Sequence, residues 1–282
     1  MSELARPSPL ESPGVSTPVE IDVLGEFALR VRDRPVVVRR AQQRLLAFLA
    51  VSRRPVSRWT LGQRLFEAVD DQRSASALRS NLWRLPRPAG LPLVTTTSTH
   101  VALSGSVVVD LWHREGVAKQ LRRVRPGTGT PSPGQPEPAD RDELASEAED
   151  HSGAEPHAMW TEDLLPEWTE DWLMVERESY RQMRLHTLES LSERLRQMGQ
   201  YAPALMAALS AVHADPLRES AHRQVIAVHL DEGNSAEALR QFHVYRRLLA
   251  RELGLPPSPA IRELVASLLG RPLENPPRRR RS

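Results

Sequence analysis

The 282-residue chain has no cysteine, which excludes disulfides, thiolate nucleophiles and zinc–cysteine sites. A reducing cytoplasm is compatible with that composition. No apolar run approaches the ~20 residues needed to span a bilayer, so no membrane partner is expected. Lysine is nearly missing too. Lys119 is the single one, and arginine carries the rest of the positive charge. Catalytic signatures are absent: there is no G-x-S-x-G, no HExxH and no GxxxxGK[ST] loop. His222 and His229 are seven residues apart and fit one helical face, but no carboxylate or third ligand is spaced for a metal. The chain is therefore expected to be no enzyme and to need no cofactor or metal. The first eighteen residues, "MSELARPSPLESPGVSTP", hold three prolines before position 17 and no apolar stretch, so 1–18 reads as a disordered tail rather than a signal peptide.

What is present is unevenly charged. Residues 19–122 carry 17 basic and 9 acidic side chains, a net +8. Residues 126–167 carry 11 acids and one arginine, a net −10. Residues 168–270 are close to neutral, and "RRRR" at 278–281 makes 271–282 a basic tail, also read as disordered. A basic first domain points to an acidic partner, nucleic acid being the commonest.

The order of elements narrows this. "VEIDVLGEFALRVRDRPVVV" (19–38) reads as two or three short strands. "AQQRLLAFLAVS" (41–52) puts Leu45, Phe48, Leu49 and Ser52 on one helical face. "VSRWTLGQRLFEAV" (56–69) begins a second helix with Ser57 as its N-cap. "SASALRSNLWRLP" (74–86) lies in a third, which Pro86 and Pro88 end. "LPLVTTTSTHVALSGSVVVD" (91–110) reads as a pair of strands around a polar turn. Strands, three helices and a hairpin make a winged helix-turn-helix over 19–110, with the third helix sent into the major groove of double-stranded DNA.

That third helix is two-faced. Leu78, Leu82 and Leu85 share one side. Ser76, Arg79, Ser80, Trp83 and Arg84 fall at roughly 100–240° from it. The expected DNA contacts are Arg73, Ser76, Arg79, Ser80, Trp83, Arg84 and Arg87, together with Thr97, Ser98, Thr99 and His100 of the wing. Arginine suits guanine or phosphate, and hydroxyls suit phosphate or sugar. Trp83 packs either on sugar or a base methyl, or under the wing. For any generic helix, an arginine-rich far face is a solvated surface.

A connecting helix is expected over 111–125. The span 126–159, rich in proline, glycine and acid, reads as a solvated linker, with competition for the DNA surface as the sharper alternative. A helical domain is expected over 160–270, and from 168 to 270 the pattern is helical throughout and repeats. Gly199 aligns with Gly233 at a shift of 34 residues, a tetratricopeptide period. Ala202, Ala204 and Leu205 match Ala236, Ala238 and Leu239, which reads as close helix packing at those points. Helices are expected at 168–198 and near 201–214, 217–232, 235–253 and 258–269. Trp160, Trp168 and Trp172 read as one core cluster near the domain start, with a pocket as the alternative. The fold class is thus mainly α with a small β component: a winged helix, then an all-α tetratricopeptide-like domain.

The chain resembles the Streptomyces antibiotic regulatory proteins (SARP), in which a winged helix precedes a bacterial transcriptional activator domain (BTAD). The resemblance rests on "IDVLGEFALRV", "RLLAFLA", "SALRSNLWRL" and "VVVDLW". It rests further on "LLPEWTEDWLMVERESYRQMRLHTLESLSERL" and "HADPLRESAHRQVIAVHLDEGNSAEALRQFHVYRRLLARELGLPPSPAI". It covers roughly 19–122 and 160–270, and implies a small form without the ATPase module. The resemblance implies activation of transcription by binding direct repeats upstream of promoters, often in pathway-specific clusters for secondary metabolites. It implies RNA polymerase as a partner, met by the loop holding Glu67, Asp70 and Asp71; N-capping by Asp70 or Asp71 is the plainer role. A homodimer on DNA and a cytoplasmic, nucleoid-associated location go with it. The chain departs from the family pattern at Pro86 and Pro88, which shorten the third helix, and at Ser98, where the wing turn usually has glycine. A different class of function, a protein-binding scaffold, is disfavoured by the charge of the first domain.

Overall fold

The computed structural model describes residues 19–66, 70–123 and 157–269. The expected tails at 1–18 and 271–282, and nearly all of the acidic linker, lie outside them. The described chain divides into two compact units. One holds residues up to His113 together with Leu164–Trp172; the other holds Arg114–Asp163 and everything from Leu173 onward.

The first unit starts with β1 (Val19–Asp22), β2 (Ala28–Val31) and β3 (Arg34–Pro35). β1 alternates buried Val19 and Ile21 with half-exposed Glu20 and Asp22, so one face lies on the core. Arg32 and Asp33 both take positive φ, 50° and 62°, which makes the two-residue turn that suits strand twist. Three helices follow: α1 (Arg40–Ser52), α2 (Arg58–Leu65) and α3 (Asp71–Trp83). A short strand, β4 (Val56–Ser57), leads into α2, and the Ser57 hydroxyl accepts from the Thr60 amide to cap it.

The segment 91–110 departs from the sequence reading. It holds three strands rather than a pair. β5 (Val94–Thr96) and β6 (His100–Leu103) form a hairpin that β4 extends into a three-stranded sheet. β7 (Val107–Val109) leaves that hairpin and pairs parallel with β1, completing the order β3-β2-β1-β7. Its residues alternate, Val107 and Val109 buried and Val108 exposed, which suits a sheet covered on one face.

Asp110 locks this closure. It opens α4 (Asp110–Arg123), and its carboxylate accepts from the amides of Val23 (3.0 Å) and Leu24 (2.9 Å) at the end of β1. Burial pushes the carboxyl up to about 6, against the lowering effect of those amide donors. The folded state therefore holds this proton more firmly than the unfolded chain. The stability it contributes is complete below about pH 4 and is lost as pH rises through 6. Parent stability should fall by about 3 kcal/mol between about pH 3 and about pH 7 relative to Asp110→Asn, which cannot titrate. Urea midpoints of both proteins across that range check this.

The second unit stacks α5 (Leu173–Gln197), α6 (Tyr201–Ala214), α7 (Glu219–Asp231), α8 (Ser235–Leu253) and α9 (Pro259–Leu269). α5 begins at 173 and not at 168, because 164–172 is a non-helical strap packed on the first unit. The 34-residue shift has a backbone basis. Gly199 (φ 73°) and Gly233 (φ 84°) occupy equivalent left-handed turns between the helices of each pair. Ala204 and Ala238 are fully buried, as close packing requires. Ala202 and Ala236 are both exposed, so their recurrence owes nothing to helix contact. Ion pairs tie neighbouring helices: Arg218 to Glu189 (2.6 Å), Arg181 to Asp215 (2.9 Å), and Arg196 to Asp231.

The three tryptophans do not form one cluster. Trp160 is buried in the second unit with Leu185 and Leu188. Trp168 and Trp172 belong to the strap and pack on the first unit. Among the described residues, no three or more His, Asp or Glu gather into a possible metal site. His222 is structural: Nε2 donates to the Pro216 carbonyl (2.9 Å) and Nδ1 accepts from Gln241 (2.8 Å). Burial holds its pKa below the ordinary histidine range.

Candidate nucleic-acid interface

Gly62 of α2 faces Ser74 of α3. A Cβ placed on Gly62 would lie 3.5 Å from the Ser74 Cβ, an ordinary contact, so small side chains alone suit the crossing. The buried Ser74 hydroxyl donates to the Phe66 carbonyl (2.9 Å) just past the end of α2. Asp70 caps α3 by accepting from the Gln72 amide (2.5 Å), and Asp71 accepts from Gln63 on α2 (2.6 Å). Asp70 thus takes the capping role foreseen for Asp70 or Asp71, and Asp71 instead ties α2 to α3. Glu67 lies outside the described residues.

The core decides which side of α3 turns outward. Leu78 is buried with Leu45, Leu49, Leu61, Leu65 and Val101, and Leu82 and Leu85 pack against the same cluster. Arg73, Ser76, Arg79, Trp83 and Arg84 are exposed, Ser80 is half-buried, and Arg87 is exposed beyond the helix end. Trp83 is 86% exposed and does not pack under the wing. Arg79 donates to Ser76 (3.2 Å), a contact that leaves most guanidinium donors unused.

The C-terminal end of α3 is held by a residue that sequence reading missed. Gln42, 4% exposed on α1, donates from Nε2 to the Arg84 carbonyl (2.7 Å) while its Oε1 accepts from the Arg39 amide (3.1 Å). Its signal in the sequence is slight: a glutamine on the otherwise apolar inner face of α1.

The wing turn closes without glycine. Thr97, Ser98, Thr99 and His100 are all exposed, and neither Ser98 nor Thr99 has positive φ. The Thr97 hydroxyl instead accepts from the His100 amide (2.9 Å), and the Thr99 hydroxyl bonds His100 Nδ1 (2.9 Å). Arg58, at the first turn of α2, reaches the same turn. Its amide donates to the Thr99 carbonyl (2.8 Å) and its Nε to the Thr97 carbonyl (3.0 Å). Next to it Trp59 is 69% exposed. Arg58 and Trp59 were not singled out from sequence, because a helix start reads as scaffold until the wing is seen beside it.

A winged helix-turn-helix with an arginine-lined outer face, followed by stacked helix pairs, defines a two-part class of protein. Comparison with known proteins places the chain within it. Residues 137–269 match the bacterial transcriptional activator domain. Over 113 residues the chain is 32% identical to the regulatory protein AfsR of Streptomyces coelicolor, a match covering 39% of this chain and 11% of that protein. The chain thus corresponds to a small part of that relative's length. The structure of Mycobacterium tuberculosis EmbR in complex with a low affinity phosphopeptide shares the fold. The TM-score is 0.62 at 19% identity, over 92% of this chain and 67% of that one. The activator-domain match covers just under half of the chain and follows the winged helix in sequence, the order that the resemblance to SARP-type activators implies.

Replacing Gln42 by Leu strands the Arg84 carbonyl and the Arg39 amide. Stability should drop by about 1–3 kcal/mol, the net loss of two half-buried hydrogen bonds at about 0.5–1.5 kcal/mol each. Urea denaturation of the full chain measures it.

Proposed function

We propose that this protein is a sequence-specific DNA-binding transcriptional regulator that activates a pathway-specific gene cluster of secondary metabolism. The observation that carries the reading is the outer face of α3. Arg73, Ser76, Arg79, Trp83 and Arg84 stand exposed there, opposite a face wholly committed to the core. In this reading α3 enters the major groove. Arg79 and Arg84 read bases, Trp83 packs on sugar or a thymine methyl, and Arg73, Arg87 and the wing hydroxyls of Thr97, Ser98 and Thr99 meet the backbone. Ser80 and His100 complete the surface. The helical domain, close to neutral, contributes little phosphate attraction; it serves contact with a second copy of the chain on repeated half-sites, or with RNA polymerase. Such a protein works in the cytoplasm, on the nucleoid.

The full chain should retard a duplex from the region upstream of its own gene in a mobility-shift assay, with affinity falling steeply as salt rises. No shift at low salt on any upstream duplex would sink the reading.

Arg79→Ala and Arg84→Ala should each weaken specific binding by about 1–3 kcal/mol if the arginine reads a base. An arginine that touches only phosphate should lose affinity equally on a scrambled duplex. Parent-like binding by both variants would mean that α3 is not the reading helix.

A further inference from the structure

The strap at 164–172 belongs in sequence to the activator-domain match and in space to the winged-helix unit. Leu164 bridges Leu24, and the Leu165 amide donates to the Val23 carbonyl (3.0 Å). From there alternate strap residues meet one stripe of α1. The Arg40 guanidinium sits 3.8 Å above the Trp168 ring, Glu170 pairs with Arg44 (2.7 Å), and Trp172 meets Phe48 edge-on at 4.8 Å. Arg40, Arg44 and Phe48 are four residues apart, about 6 Å of helix, and two residues of non-helical chain cover about the same distance. The strap therefore keeps step with the helix.

Arg44 is the informative member. Its Nη2 donates to Glu170, and its Nη1 donates to the carbonyl of Leu65 (2.8 Å), the last residue of α2. That carbonyl has no partner within its own helix. The next residue's carbonyl, on Phe66, accepts from Ser74 on α3. A bidentate fork fixed at both ends has one orientation, and Glu170, whose side chain is only 15% exposed, fixes one end.

We propose that the strap is a positioning element for the helix-turn-helix: Glu170, acting through Arg44, sets where α2 ends and hence where α3 begins. Glu170 is a positioning residue and touches no DNA. The segment conventionally counted with the activator domain is then a working part of the DNA-reading unit. Cutting the chain near 122 removes it. The consequence for DNA rests on the function proposed above; the positioning itself does not.

The test uses the full chain with Glu170→Ala, Glu170→Asp and Arg44→Lys. Hydrogen exchange read by mass spectrometry, without DNA, should show Glu170→Ala exchanging about tenfold faster at the end of α2 and the start of α3, with β1 and β2 unchanged. Arg44→Lys, which keeps the charge and loses the fork, should give the same local pattern. Glu170→Asp, which keeps the carboxylate, should return most of the protection. On DNA, Glu170→Ala should lose several-fold in preference for its own upstream duplex over a scrambled one, at an unchanged salt slope, since no phosphate contact is removed. Unchanged exchange, a rise spread evenly over the unit, or no recovery with Glu170→Asp would overturn the proposal. If the parent binds no duplex, the proposed function fails and the exchange pattern still decides the positioning.

Discussion

The burial of Leu78 is the constraint from which the outward surface follows. A leucine side chain taken out of water contributes roughly 1.5–3 kcal/mol, and α3 commits Leu78 fully with Leu82 and Leu85 beside it. Turning α3 about its axis by even a third of a revolution would expose these and bury arginines that have no partners there. The orientation of Arg79, Trp83 and Arg84 is thus set from behind, by α1 and α2. Three polar ties then fix what apolar packing leaves soft. Asp70 holds the start of α3, Ser74 its first turn and Gln42 its end.

Those ties explain how far sequence could take the reading. The order of the elements, the apolar stripe on α3, the Ser57 cap and the 34-residue shift were all legible, because each depends on residues close in sequence. So was the exposed face of α3, since it is the complement of the stripe. The tie from Gln42 to α3 was not legible: Arg39 is a near neighbour in sequence, but the Arg84 carbonyl comes within reach only once α1 and α3 cross. The branch at β7 was also hidden. "VVVD" suits a hairpin strand and a parallel strand equally, and only the pairing with β1 separates them. The departure from the family pattern at Ser98 is met locally, since the Thr97 side chain closes the turn without a left-handed residue.

The strap marks a larger limit. A domain read along the sequence is a contiguous interval, and a helical pattern expected from 168 onward invites a boundary at 160. Contacts divide the chain differently, giving 164–172 to the unit that ends at 113. "LLPEWTEDW" has the composition that such a strap needs: leucines and tryptophans to bury, and an acid to meet arginines on a helix. It has no period, so nothing in its pattern names the surface it covers. A match to the activator domain over 137–269 includes it for the same reason. Family boundaries follow the sequence, and this segment's packing does not.

Trp83 completes the argument about surfaces. Single exposed apolar side chains are ordinary on proteins and mean little alone. An indole is a different case at the end of a helix whose outward face beside it carries Ser76, Arg79 and Arg84. Its large apolar face gains nothing from water, while the neighbouring guanidiniums repel a second basic surface and attract a polyanion. The core offers no room for it, because Leu82 and Leu85 already occupy the inward side on either hand. A flat apolar ring bracketed by Arg79 and Arg84 suits a partner that is itself apolar in its rings and anionic along its edges. In the function proposed above, duplex DNA is that partner.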